Sequence, residues 1–104
     1  MPKYFINRGG TDVAQVKKEF TLFRQEYTVE GPGWTVKGDF FDHEYEITSS
    51  GRRIAAVSKR WFTWGDTYEI DVAEGEDEIT ALCVVLIIDA VCAQNSAAAA
   101  SNNT

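Results

Sequence analysis

The sequence predicts an α+β fold, mainly antiparallel β, with one apolar helix near its C-terminus. Three observations predict it. Short runs of alternating polar and apolar residues recur between glycine-marked turns. One stretch of about seventeen residues recurs without gaps. A continuous apolar run, Ala81–Ile88 (ALCVVLII), follows a cluster of acids. Alternation of period two marks half-buried strands, whereas a long apolar run behind acids suits a buried helix.

The elements follow in order. Tyr4-Phe5-Ile6 is a short strand. Arg8-Gly9-Gly10-Thr11 is a turn, because paired glycines reach positive φ without a Cβ clash. Val13–Val16 starts a second strand that runs on toward Phe20. Gln25–Val29 alternates, Gly31-Pro32-Gly33 breaks the chain, and Trp34–Lys37 alternates again. Gly38 marks a bend or bulge. Glu44–Thr48 sets Tyr45 and Ile47 on one face and acids on the other. After Ser49-Ser50-Gly51, the last strands are Ile54–Val57 and Thr67–Val72. About seven short strands separated by turns suit an antiparallel sheet, sandwich or barrel.

Residues 13–29 (VAQVKKEFTLFRQEYTV) align onto residues 54–70 (IAAVSKRWFTWGDTYEI). Ala14, Val16, Lys18 and Tyr27 match Ala55, Val57, Lys59 and Tyr68. Val13/Ile54, Phe20/Trp61, Phe23/Trp64 and Val29/Ile70 are conservative matches. FFDHEYEI (40–47) is a third, partial copy. The unit reads as a β-hairpin with an aromatic corner. It cannot bury its apolar face alone, so the copies must pack together.

The segment about 76–93 is expected to be a helix. Val and Ile leave a core strand open on propensity alone, but the length and the preceding acids favour the helix. Its apolar part, the fifteen residues from Ile79 to Ala93, spans only about 22 Å, short of the roughly 30 Å of a membrane core. Asp89 also argues against lipid. A helix apolar on every side is buried, so Leu86 is expected in the core. Asp89 then needs an exposed position or a donor partner. Residues 94–104 (QNSAAAASNNT) are expected to be a disordered tail.

At 104 residues the chain suits one domain. Its 44% hydrophobic content excludes wholesale disorder, and a net charge of −6 argues against nucleic acid as a partner. The charge is unevenly placed. All ten basic residues lie between Lys3 and Arg60, while 66–104 holds eight acids and no base. Cys83 and Cys92, about 13 Å apart along a helix, are too distant for a disulfide and read as buried free thiols. Free thiols and the absence of a signal-peptide core indicate a cytoplasmic protein.

His43, the one histidine, has no metal-ligand spacing around it and reads as a turn residue. No phosphate loop, dinucleotide fingerprint or nucleophile elbow is present. The i, i+2 acids Glu44 and Glu46 are expected to face water. The sequence therefore predicts neither an enzyme nor a cofactor or metal. Candidate ligand contacts rest on charge alone: Lys17, Lys18, Lys37, Arg52, Arg53, Lys59 and Arg60.

GWTVKGDFFDHEYEI (33–47), IAAVSKRWFTWGDTYEIDV (54–72) and an apolar run ending IIDAV (87–91) together resemble the LURP-one-related family, which has a Tubby C-terminal-like fold. The resemblance implies a twelve-stranded barrel around a hydrophobic C-terminal helix. It also implies kinship in fold with phospholipid scramblases and with phosphoinositide-binding Tubby domains. Against that pattern, residues 1–93 are expected to form an N-terminally shortened, partial Tubby-like barrel of about seven strands. Open edges invite another chain, so a homodimer completing the barrel is expected. The implied function is a non-catalytic binding module for anionic phospholipid headgroups or another small anion. The alternative is a structural or protein-interaction domain with no small ligand.

Overall fold

The computed structural model describes residues 3–20, 25–40, 42–62 and 65–102. Seven strands are followed by one helix: β1 (Lys3–Arg8), β2 (Thr11–Phe20), β3 (Gln25–Glu30), β4 (Trp34–Asp39), β5 (Glu44–Ser49), β6 (Arg52–Phe62), β7 (Gly65–Val72) and α1 (Glu78–Asn102). Each strand pairs antiparallel with the next, in the order β1-β2-β3-β4-β5-β6-β7. The sheet is a half-barrel, and β1 and β7 are its terminal strands.

The alternation seen in the sequence sets the two faces. Val16, Val29, Val36 and Ile47 point inward and are fully buried, with Tyr27, Tyr45 and Val57 beside them. The residues between them, such as Glu30, Lys37, Glu44 and Glu46, are exposed on the convex side. The register shifts between Ile6 and Asn7 and between Ile47 and Thr48, where a bulge adds local twist. Gly38 has φ +143°, and a Cβ there would lie 2.6 Å from the Glu44 carbonyl oxygen and from Tyr45 Cα. Only glycine lets β4 and β5 approach this closely.

The sequence repeat is also a structural one. β2–β3 pairs Val16 with Val29 and Lys18 with Tyr27. β6–β7 pairs Val57 with Ile70 and Lys59 with Tyr68, the same register at equivalent positions. Phe23 and Trp64, expected at the aromatic corners, lie outside the described residues, as does Phe41 of the partial copy.

The helix lies across the mouth of the half-barrel. Its backbone approaches β1 and β7, and Ala81, Val84, Val85 and Ile88 join the strands' inward residues in one core. Asp77 caps its N-terminus. The Thr80 N–H donates to Asp77 Oδ1 at 3.1 Å and the Thr80 hydroxyl donates to Oδ2 at 2.7 Å. Two ion pairs anchor the same end: Arg8 to Asp77 at 3.1 Å and Arg52 to Glu76 at 2.7 Å. The uneven charge of the sequence thus has a local use, since basic residues of the sheet meet the acids that start the helix.

Two expectations need correction. The helix runs from Glu78 to Asn102 rather than 76–93, so residues 94–102, expected as a disordered tail, continue it. Ala97–Ala100 explains this: alanine has the highest helix propensity, and extending a formed helix avoids the cost of nucleation. The helix is also not buried on all sides. Leu86 is 59% exposed, with Ile79 at 57% and Leu82 at 46%. A half-barrel surrounds only part of a helix, so one apolar stripe faces outward.

Candidate functional site

The seven cations proposed from charge do not converge. Lys17, Lys37 and Arg53 lie on the convex face. Lys17 donates to Glu30 at 2.9 Å, and that bond holds the lysine above and the carboxylate below their ordinary pKa ranges. Lys37 lies 3.9 Å from Glu26. Arg53 makes no ion pair with a described residue. Lys18 and Lys59 stand two residues after the inward-facing Val16 and Val57 and so lie on the concave side, opposite Tyr27 and Tyr68, each already engaged with a neighbour. Arg52 is taken up by Glu76 at the helix start. Arg60 pairs with Thr67 in the ladder, and its side chain lies outside the described residues.

Lys37 and Arg53 line one convex groove of about 550 Å³ together with Thr48 and Ser58. Glu44 and Glu46 line it as well, so its charge is mixed. A patch that attracts phosphates needs clustered positive charge, and the sheet's alternation distributes these cations between its two faces.

A second site lies where the helix meets β7. His43, at the β4–β5 turn with φ +56°, sets its ring 4.8 Å from that of Tyr68 and its Nδ1 3.7 Å from Asp89 Oδ1. Asp89 is half-exposed, so water reaches its carboxylate, and the His43 ring lies beside it. Beneath these groups is a small cavity of about 80 Å³, walled by Tyr45, Val57, Tyr68 and Ile70 from the sheet and Leu82, Val85 and Leu86 from the helix. Tyr45 and Tyr27 belong to the adjoining core, where Phe40 packs against both rings at 5.2 and 4.9 Å. Burial raises both phenols, that of Tyr27 to about 12. Cys92 donates to the Phe40 carbonyl across 3.7 Å, and burial raises its thiol. Both cysteines are free, as the spacing predicts.

The sequence reading missed this flank. The signal was present: Ile79, Leu82 and Leu86 follow i, i+3, i+7 spacing, a stripe separate from Ala81, Val84, Val85 and Ile88. Both stripes are apolar, so periodicity could not say which one the sheet would cover. Among the described residues, no group of three or more His, Cys, Asp or Glu could hold a metal. Nor, among those residues, is any helix long and apolar enough to cross a membrane.

Comparison with known proteins gives two results. The model of the LURP-one-related family matches residues 2–89. The uncharacterized protein YxjI of Bacillus subtilis (strain 168) is 31% identical over 91 residues, which cover 88% of this chain and 56% of the relative. The chain thus spans about half the length of the curated relative it matches. No solved structure matches it.

Proposed function

Since the chain belongs to the LURP-one-related family, we propose that it is a non-catalytic protein-interaction domain whose working surface is the flank formed by the helix and β7. The carrying observation is the exposed apolar stripe Ile79, Leu82 and Leu86, beside the half-exposed Tyr68 of a terminal strand. Large apolar side chains grouped on one exposed flank favour contact with another polypeptide segment. Paired substitution tests this. Native chain and a Leu82→Ser/Leu86→Ser variant that keeps a cooperative thermal transition are purified from the same cells. Recovery of a stoichiometric partner with the native chain alone supports the proposal. Equal recovery with the variant, or none with either, refutes it. Sedimentation of the purified chain decides whether a second copy, completing the barrel, is that partner.

A second reading, an anionic phospholipid headgroup or another small anion as ligand, is favoured by one observation: Arg53, which makes no ion pair among the described residues, lines the convex groove with Lys37. Flotation with anionic and neutral vesicles tests it. Salt-sensitive binding to the anionic vesicles, lost in Lys37→Glu/Arg53→Glu, supports it, and equal, negligible binding to both refutes it.

A further inference from the structure

The two hairpins of the repeat differ on their convex faces. Continued by one residue, the repeat sets Gln15, Lys17 and Glu30 at the places of Ala56, Ser58 and Asp71. The registers agree, since Gln15 pairs with Glu30 and Ala56 with Asp71. In the first hairpin the Lys17 side chain crosses to β3 and its ammonium donates to Glu30 at 2.9 Å. In the second, short side chains stand at both β6 positions, and the convex groove of about 550 Å³ lies over them. Asp71 keeps the acid, exposed and without a cation among the described residues. Glu44 and Glu46 on β5 are also exposed and make no ion pair with a described residue. Lys37, opposite Glu46 in the ladder, lies 3.9 Å from Glu26 on its other side. Glu69, opposite Ser58, is engaged with a neighbour and takes no part. At the far end of the groove Arg53 pairs with Thr48 in the ladder. It precedes Ala56 by about 10 Å of extended strand. The groove is built on β4, β5 and β6, and each of these strands has a neighbour on both edges.

We propose that this groove binds a small zwitterion, with an ammonium over Ala56 between Glu46 and Asp71 and a carboxylate at Arg53. The first hairpin carries its own version of the ammonium contact, in Lys17 on Glu30. The second hairpin supplies the acid and the space and takes the ammonium from a ligand. Ala56 gives the ligand's methylenes a short apolar floor, and the Thr48 and Ser58 hydroxyls line the same groove. A bare anion at Arg53 meets Glu44 and Glu46 nearby, and a bare cation at the acids meets Lys37 and Arg53. Only a ligand of both signs complements both ends. This goes beyond the anion reading of the same groove, because it gives the acids a part.

The test titrates the full chain with 6-aminohexanoate, hexylamine and hexanoate, followed by amide resonances. The zwitterion is expected to shift residues 46, 53, 56–58 and 71, and to weaken with salt. Each singly charged probe lacks one exposed ion pair and is expected to bind about fivefold more weakly. Arg53→Gln is expected to bring 6-aminohexanoate down to the affinity of hexylamine. Ser58→Lys restores the side chain that the first hairpin has at this place and is expected to abolish binding, while a thermal melt shows the fold retained. Equal affinity for the three probes, binding of none, shifts confined to other residues, or an affinity that either variant leaves unchanged would overturn the proposal. If hexanoate binds as tightly as 6-aminohexanoate, this proposal falls and the anion reading stands. If the zwitterion is preferred while anionic vesicles are not bound, the headgroup form of that reading falls and this proposal stands.

Discussion

Leu86 and Ile88 are two residues apart on one helix and are expected to respond to substitution in opposite ways. Leu86 is 59% exposed, so only about two fifths of its side chain leaves water on folding. Full burial of a leucine contributes about 1.5–3 kcal/mol, which makes that fraction worth about 1 kcal/mol. Aspartate in a helix adds about 0.5 kcal/mol through lower propensity. Leu86→Asp is thus expected to cost under about 2 kcal/mol and to leave a cooperative transition. Ile88 is fully buried. Ile88→Ala removes its contacts with the sheet and is expected to cost about 2–5 kcal/mol. For a domain of this size, 1 kcal/mol moves the melting temperature by about 4–8 °C, so circular dichroism melts separate the two. Loss of the transition in Leu86→Asp with little change in Ile88→Ala would refute the assignment of the buried stripe. A native melting temperature that falls on dilution, with Leu86→Asp showing no such dependence, would reveal a second copy covering the flank.

Two further predictions concern pH. Asp77 is held below its ordinary pKa, first by the Thr80 hydroxyl, then by the Thr80 backbone N–H, with Arg8 adding a smaller effect. Its contribution is therefore full above the unfolded value of about 4 and is lost as pH falls through the folded one. Asp77→Ala is expected to cost about 1 kcal/mol at neutral pH and progressively less in acid, as read by urea melts; an equal loss at every pH would contradict the cap. Tyr27 is raised to about 12 by burial, and Tyr45 is raised for the same reason. Stability from these neutral phenols is complete below about 10 and declines as pH rises toward about 12. Their tyrosinate absorbance should appear together with loss of ellipticity, and ionisation of every tyrosine in a still-folded chain would disprove their burial.

Much of the sheet was legible because alternation is a local property. Tyr45 and Ile47 are inward wherever the strand is placed, and the repeat predicted two equivalent hairpins before their pairing was known. Element ends were less legible. Residues 94–102 are polar or small, which suits a tail or a helix equally, and the preceding helix decided between them. The proposed cation site was the weakest inference, since charge along a strand does not specify a face until the register is known. Lys17 and Lys18 are adjacent in sequence yet lie on opposite sides of the sheet.

The sequence by itself determined the strands, the duplicated hairpin, the apolar helix and the separation of basic from acidic residues. Each follows from spacing or composition within a few residues. Only the tertiary structure decided which apolar stripe of the helix is covered, that Arg8 and Arg52 hold the acids at its start, and that His43 meets Asp89. It also decided that Tyr27 is buried while its twin Tyr68 is half-exposed. The physical reason is the same in each case. Burial and pairing depend on which distant segment arrives opposite a residue, and in a half-barrel the two members of a repeat have different neighbours.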